Sequence, residues 1–251
     1  MAQGLTTRLI GHPVLYYFSV SSTQDVAKEA ARLGAEEGTV VIAEEQTAGR
    51  GRLERAWISS RGNLSLSVVL RPPLRLLTFL TMLAPLAVVR AIEREVPLKP
   101  DIKWPNDVLI NGRKVCGVLI ENSFRGQELT YAIMGIGLNV NLDPLANAEI
   151  AAIATSLRAE LGRPVSCLAV GQALLKELDE LYLGLKAGAD VFTPWRQRLG
   201  TLGQHVLISG PGLAEEGVAE AVDSDGSLLL RRADDSLLRF VAGEVSLRSQ
   251  S

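Results

Sequence analysis

Thr39-Val40-Val41-Ile42-Ala43 leads into Glu44-Glu45-Gln46-Thr47-Ala48-Gly49-Arg50-Gly51-Arg52. After a polar stretch ending at Gly62 the chain continues as Asn63-Leu64-Ser65-Leu66-Ser67-Val68-Val69-Leu70. Two apolar segments of strand length thus flank one long polar loop, and this arrangement sets the reading of the fold. The second segment alternates small polar with apolar residues, the pattern of a half-buried strand. In the loop, Gly49 and Gly51 free the backbone for positive φ and for close approach to a ligand. Arg50 and Arg52 supply guanidinium forks suited to phosphate or carboxylate. Residues 44–62 therefore read as a ligand-covering loop, with an ordinary surface loop carrying solvated arginines as the alternative.

With 251 residues, 47% of them hydrophobic, the chain can form one large domain or one domain with a small appendage. A net charge of −2 supplies no basic field for gripping nucleic acid. The N-terminus lacks a positive region followed by an apolar run, so no signal peptide is expected. The richest apolar run, Leu74 to Val89, is interrupted by Arg75 and Pro85 and is too short to cross a bilayer. Cys116 and Cys167 are isolated, and His12 and His205 are the only histidines, which disfavours zinc, redox and histidine-triad chemistry. The expected class is a cytoplasmic α/β or α+β protein.

Along the chain, Val14 to Phe18 predicts a strand, and Val26, Ala27, Ala30, Ala31 and Leu33 predict a helix ended by Gly34. Ser21 to Gln24 has capping-box spacing. A cap needs only one of these groups, leaving Ser22, Thr23 and Gln24 polar atoms for a ligand. Leu76 to Val96 reads as one long amphipathic helix that Pro85 could bend. Asn111-Gly112 between apolar runs signals a type I′ hairpin, which sets Lys114 at the start of a strand with buried neighbours. A second hairpin is expected at Arg125-Gly126, returning from Leu129 to Asn141, and residues 143–153 are loop or weak helix. Ser166 to Leu185 predicts an amphipathic helix burying Leu168, Leu174, Leu175, Leu178 and Leu181. Short strands from Gly203 onward predict a small antiparallel barrel or sandwich, with the boundary at about 195. Neither Gly49-x-Gly51 nor Gly135-x-Gly137 completes a dinucleotide fingerprint, because Glu54 and Val140 stand at the third glycine position. Glycine inside a strand points instead to close ligand approach.

Ser22-Thr23-Gln24, Gly49-Arg50-Gly51-Arg52, Lys103-Trp104-Pro105-Asn106-Asp107, Arg113-Lys114-Val115-Cys116-Gly117 and Gly135-x-Gly137-x-Asn139 occur in that order along the chain. The set resembles the biotin–protein ligases, biotin–[acetyl-CoA-carboxylase] ligases. The resemblance implies an α+β fold: a mixed sheet flanked by helices, of the biotin–lipoate ligase and class II aminoacyl-tRNA synthetase type, over residues 1–195. An SH3-like β-barrel over 196–251 follows. It also implies activation of biotin by Mg·ATP, then transfer to a lysine of a biotin carboxyl carrier protein.

By the same resemblance, Ser22, Thr23, Gln24 and Gln46, with Arg50, Gly51 and Arg52, bind biotin, and Gly117, Gly135 and Gly137 leave it a slot. Lys114 and Arg52 are the expected catalytic cations, Lys114 also touching biotin. Arg50, Arg52, Arg55, Trp57, Lys103, Asn106, Asp107 and Asn139 belong to the ATP site, with Asp107 as a magnesium ligand. Trp57 is placed either in the core or against adenine, while Trp104, Pro105 and Cys116 read as packing residues. The Ser-Ser-Thr motif begins at residue 21, which leaves no room before it for a helix-turn-helix module. The expected partners are therefore the carrier protein and no nucleic acid or membrane, with the chain a monomer or homodimer. The competing readings are a lipoate or octanoyl ligase and a non-catalytic biotin-binding module.

Overall fold

The computed structural model describes residues 4–52, 55–210, 213–241 and 243–247. Seven strands form a mixed sheet: β1 (Val14–Val20), β2 (Val40–Gln46), β3 (Leu64–Leu70), β4 (Asp101–Lys103), β5 (Asp107–Ile110), β6 (Arg113–Arg125) and β7 (Glu128–Leu138). Their order is β1-β2-β3-β7-β6-β5-β4. Only β1 and β2 run parallel; every other neighbouring pair is antiparallel. The β5–β6 turn has Asn111 at φ 51° and Gly112 at φ 75°, the left-handed pair that a type I′ hairpin requires.

Both faces of the sheet are covered, and by different helices. Helix α1 (Thr23–Arg32) lays Ala27 and Ala31 on Val41, Val69 and Ile133. On the other face, α2 (Leu80–Glu95) and α4 (Cys167–Lys186) bury Leu64, Leu66, Val68 and Leu70 in a core that continues through Cys116 and Val118. Period-two alternation therefore separates two buried faces in β3, and all its residues are buried rather than half. Its serines face α1, not water, because α1 roofs that side.

Three further expectations are corrected. No side-chain capping bond forms at Ser22, the N-cap of α1; Gln46 Oε1 accepts from the Thr23 N–H instead, at 2.8 Å. The helix expected over 76–96 begins only at Leu80, as α2, after a 3₁₀ turn at Leu74–Leu76 and turn residues 77–79, and Pro85 lies within it. Leu168 is 50% exposed, since burial along α4 begins only at Val170.

Ionic side chains hold the N-terminal segment and α1 in place. Asp179 on α4, itself buried, accepts the backbone N–H groups of Arg8, Leu9 and Ile10 at 2.8–2.9 Å. Arg71 donates to the carbonyls of Ala31 and Ala35 at the end of α1, where a cation meets the negative end of the helix dipole.

The last fifth of the chain forms a five-stranded antiparallel, SH3-like unit, ordered β11-β10-β9-β8-β12. Its strands are β8 (His205–Gly210), β9 (Leu213–Val222), β10 (Leu228–Arg231), β11 (Leu237–Phe240) and β12 (Glu244–Leu247). It shares its core with the large sheet through Val206, Ile208, Leu228 and Leu230. Trp104 is the rivet: its N–H donates to Thr201 Oγ1 at 2.9 Å and its Nε1 to the Gly226 carbonyl at 2.8 Å. Among the described residues no helix is long and apolar enough to cross a membrane.

Glu37 fastens α4 to the sheet where β2 begins and β3 ends, accepting from Tyr182 Oη at 2.6 Å, Lys186 Nζ at 2.9 Å and the Arg71 N–H at 2.9 Å. Burial pushes its carboxyl up, but these three donors outweigh burial and hold it below its ordinary 4.5. A pKa lowered by folding adds stability above the unfolded value, and that stability is lost as pH falls through the folded one. Glu37→Gln is therefore expected to lower the urea midpoint at pH 7, with the gap from wild type narrowing below about pH 4. Urea unfolding across pH 3–7 measures this.

Candidate active site

On the α1 face, the middle of the sheet carries almost no side chains. Cross-strand register aligns Asp107, Gly117, Gly137, Ser65 and Ala43 in one row, and Leu119, Gly135, Ser67 and Val41 in the next. A patch of glycine, serine and alanine cannot fill the space above it, so a cavity of about 690 Å³ remains there. Larger residues at these positions would close it. A Cβ at Gly135 would stand 2.4 Å from Gln24 Oε1, and one at Gly137 would stand 2.4 Å from the Trp57 indole.

One end is lined with neutral donors and acceptors. Gln24 Nε2 donates to the Leu119 and Ile133 carbonyls, both at 3.3 Å, and its Oε1 accepts from Ser67 Oγ at 3.0 Å. Ser67 Oγ lies 2.9 Å from Thr23 Oγ1, which donates to Gln46 Oε1 at 3.0 Å. Each group orients the next, so a chain of hydroxyls and amides is pre-set without a charge.

The other end is ionic. Lys114 Nζ sits 2.7 Å from Asp107 Oδ1 and 5.5 Å from the centre of the Trp57 ring. The Asn111-Gly112 turn sends β6 back along β5, which brings Lys114 and Asp107 together. Arg52 Nη1 donates to Asn106 Oδ1 at 2.9 Å, and Asn106 Nδ2 in turn donates to the Val118 carbonyl at 2.6 Å. Cys116, beside Lys114, is wholly buried on the opposite face, and burial pushes its thiol far up, out of reach of thiolate chemistry.

The loop between β2 and β3 straps the cavity. It folds on itself through Trp57 N–H to Gly49 O at 2.9 Å, Gly51 N–H to Arg55 O at 2.7 Å, and a bridge between Gln46 and Ser59. Arg50 pins it to α1 as a two-pronged pair with Asp25, with Glu121 also 3.9 Å away.

Every residue that the resemblance assigned to biotin or ATP lines this one cavity: Ser22, Thr23, Gln24 and Gln46; Arg50, Gly51, Arg52, Arg55 and Trp57; Lys103, Asn106, Asp107 and Lys114; and Gly117, Gly135, Gly137 and Asn139. Gly49 does not line it and instead accepts from the Trp57 N–H within the loop. Trp57 lies over the glycine floor beside Lys114 instead of in the main core. Asn139 is buried and donates to the Thr155 carbonyl at 3.0 Å. Sequence reasoning missed Ser67, whose signal was a serine inside an apolar strand. It missed Asp25 and Glu121, which engage Arg50. It also missed one wall, formed by Ser209, Gly243 and Val245 from the C-terminal unit, whereas the 142–154 segment expected over the site does supply Ile150, Ala152, Ile153 and Ala154.

A profile of the biotin/lipoate A/B protein ligase family matches residues 16–139, and a biotin protein ligase C-terminal domain profile matches residues 201–248. The bifunctional ligase/repressor BirA of Bacillus subtilis is 36% identical over 252 aligned positions, spanning 97% of this chain and 77% of that protein. The chain belongs to the biotin/lipoate protein ligase family. A biotin–[acetyl-CoA-carboxylase] ligase of Paracoccus denitrificans is 34% identical, over 84% of this chain and 92% of that one. Among solved structures, a biotin protein ligase from Aquifex aeolicus in complex with biotin and ATP superposes with a TM-score of 0.81. It is 29% identical and covers 94% of this chain and 99% of that one. The order of elements expected of a ligase of this family, large mixed sheet first and small β-unit last, is the order found.

The glycine floor makes a direct test possible. Trp104 and Trp195 are each 1% exposed, so Trp57 is the tryptophan that solvent can reach. Gly137→Ala is expected to push the Trp57 indole off the floor, shifting emission to the red and raising the acrylamide-quenchable fraction. The same substitution in a Trp57→Phe background should change neither.

Proposed function

We propose that this chain is an ATP-dependent biotin–protein ligase. Biotin and Mg·ATP give biotinyl-5′-AMP and pyrophosphate. The amine of an acceptor lysine then attacks the acyl carbon of the mixed anhydride, forming an amide and releasing AMP. The observation that carries this reading is the polarity of the cavity, with uncharged hydrogen-bonding groups at one end and cations at the other. Biotin has the matching polarity, a ureido ring joined by an apolar chain to a carboxylate.

Gln24, Thr23, Gln46 and Ser67, with Ser22, are assigned to the ureido ring, and the Gly117, Gly135 and Gly137 floor to the apolar part. Pre-oriented buried polar groups penalise an acyl group that cannot pair with them, by as much as 10⁴-fold in comparable sites. The dithiolane of lipoate offers no such pairing, which favours biotin over the lipoate reading.

Adenylation brings a carboxylate onto a phosphate that is already anionic, so its barrier is largely electrostatic. Cations fixed beforehand lower it without reorganising. Lys114 is assigned this role: Asp107 at 2.7 Å fixes its ammonium, and its side chain, which lines the cavity, stays one-third exposed. Arg52, braced by Asn106, Arg55 and the backbone of Arg50 and Gly51 contribute from the strap. Trp57, Lys103 and Asn139 are assigned to the nucleotide.

Among the described residues no three His, Cys, Asp or Glu side chains cluster as a metal cage. That suits magnesium, which keeps its waters and binds through one or two carboxylates plus substrate phosphates. Asp107 would be the carboxylate, with the Asn106 and Asn139 amides beside it, and the ion would neutralise phosphate charge. The acceptor is assigned as a biotin carboxyl carrier protein, with residues 1–195 as the catalytic unit and 196–251 as a small unit closing the cavity. Dependence on ATP assigns the reaction to the cytoplasm.

Incubation with Mg·ATP and either radiolabelled biotin or lipoate tests the reading, with pyrophosphate release and label transfer to a carrier domain as readouts. Biotin should support both and lipoate neither. Lys114→Ala is expected to slow pyrophosphate release by about 10²–10³-fold. Pyrophosphate release at the wild-type rate in that variant would remove Lys114 from the mechanism. No release with biotin in the wild type would leave only a binding module.

A further inference from the structure

Glu160 lies on the five-residue helix α3 (Leu157–Leu161), outside the cavity wall, and none of the roles above uses it. Its side chain is only 6% exposed, yet three donors from separate parts of the chain converge on it. Asn111 Nδ2 donates to one carboxylate oxygen at 2.7 Å. Arg113 Nη2, at 2.7 Å, and Thr155 Oγ1 both donate to the other. Burial pushes this carboxyl up, but the donations from Thr155, Asn111 and Arg113 pull it lower still, and it stays below the usual range. It is therefore an anion that only accepts, matched to three donors.

What the three donors share is Lys114. Asn111 opens the turn that starts β6, and Arg113 precedes Lys114 in the chain. Thr155 ends the segment that pairs with Lys114: Lys114 N–H donates to the Ile153 carbonyl and Thr155 N–H donates to the Lys114 carbonyl, each at 2.8 Å. The same segment presents Ile150, Ile153 and Ala154 to the cavity. It consists of turns, without regular structure of its own to hold it. Helix α3, by contrast, is anchored. Ser156 Oγ accepts from the Ala159 N–H and donates to the Leu142 carbonyl, and the Leu157 and Arg158 N–H groups donate to the carbonyls of Asn139 and Val140.

We infer that Glu160 is the positioning residue for Lys114, clamping the β5–β6 turn and the 150–155 wall to an anchored helix so that ammonium and wall are set together. This rests on the role assigned to Lys114 in adenylation. Displacing a reacting group by about 1 Å can cost about 10²-fold in rate, so a carboxylate that never meets substrate can still govern turnover.

The test uses the full chain with biotin and Mg·ATP, measuring pyrophosphate release alongside amide hydrogen exchange without substrates. Glu160→Gln removes the charge and turns one acceptor into a donor facing donors. It should lower kcat by about 10–100-fold while KM for biotin stays within about twofold, since the ureido end of the cavity is untouched. Amides of 113–115 and 153–155 should exchange at least about tenfold faster, while those of α1 and β3 do not change. Thr155→Val should move kcat in the same direction, and Glu160→Asp should recover part of the loss. Wild-type kcat and exchange in Glu160→Gln would overturn the inference. So would a parallel loss of kcat and biotin affinity with exchange rising everywhere, the mark of general loosening. If the wild type releases no pyrophosphate with biotin, the functional reading fails by itself, and local exchange still reports whether Glu160 clamps Lys114.

Discussion

Two strands that meet at glycine are the constraint on which the rest of the molecule depends. Gly117 and Gly137 face each other across β6 and β7, with Gly135 beside them and Ser65 and Ser67 on the next strand. A sheet buried on both faces normally fills each face with side chains at close to crystal density. Here one face does so, under α2 and α4, and carries the stability of the fold. The other is packed only where Ala27 and Ala31 of α1 cover it, and beyond that point the backbone itself is the floor. The cavity follows from an absence of atoms that neighbouring strands cannot make good.

That floor governs the electrostatics above it. A low, flat surface lets Lys114, Asp107 and the Trp57 ring lie side by side over peptide groups, partly withdrawn from water. Charges so placed interact more strongly than on an open surface, and their attachments hold them in position. Three of the cations lining the cavity have an identified brace: Asp107 for Lys114, Asn106 for Arg52, Asp25 for Arg50. The polar end uses neutral groups braced in series, Gln24 to Ser67 to Thr23 to Gln46. One end thus suits an anion and the other a neutral ring with donors and acceptors.

Much of the site was legible because its chemistry needs unusual residues in short runs. Gly-Arg-Gly-Arg, Lys-Trp-Pro-Asn-Asp and Asn-Gly before Arg-Lys stand out against any background, and each of them sends residues into the cavity. The misreadings came from patterns that have the same appearance in different surroundings. Serines at alternate positions of β3 look solvent-facing, but helix α1 and the cavity lie above them. Ser21 and Gln24 have the spacing of a capping pair, yet Gln24 turns into the sheet and Gln46, from another strand, caps the helix. Leu168 keeps helical phase with the buried leucines of α4 but lies in the first turn, ahead of the buried stretch.

By itself the sequence determined what depends on neighbours along the chain. It set the strand–loop–strand frame around residue 50, the turn at Asn111-Gly112, the run of short strands after Gly203, and the residues able to bind anions. Backbone preference and local alternation are enough for these. Only the tertiary structure decided which face of β3 lines the cavity, which carboxylates brace which cations, and that Glu160 meets Arg113 from 47 positions along the chain. Such pairings depend on distances between strands and helices far apart in the chain, and those distances exist only after the two faces of the sheet have packed.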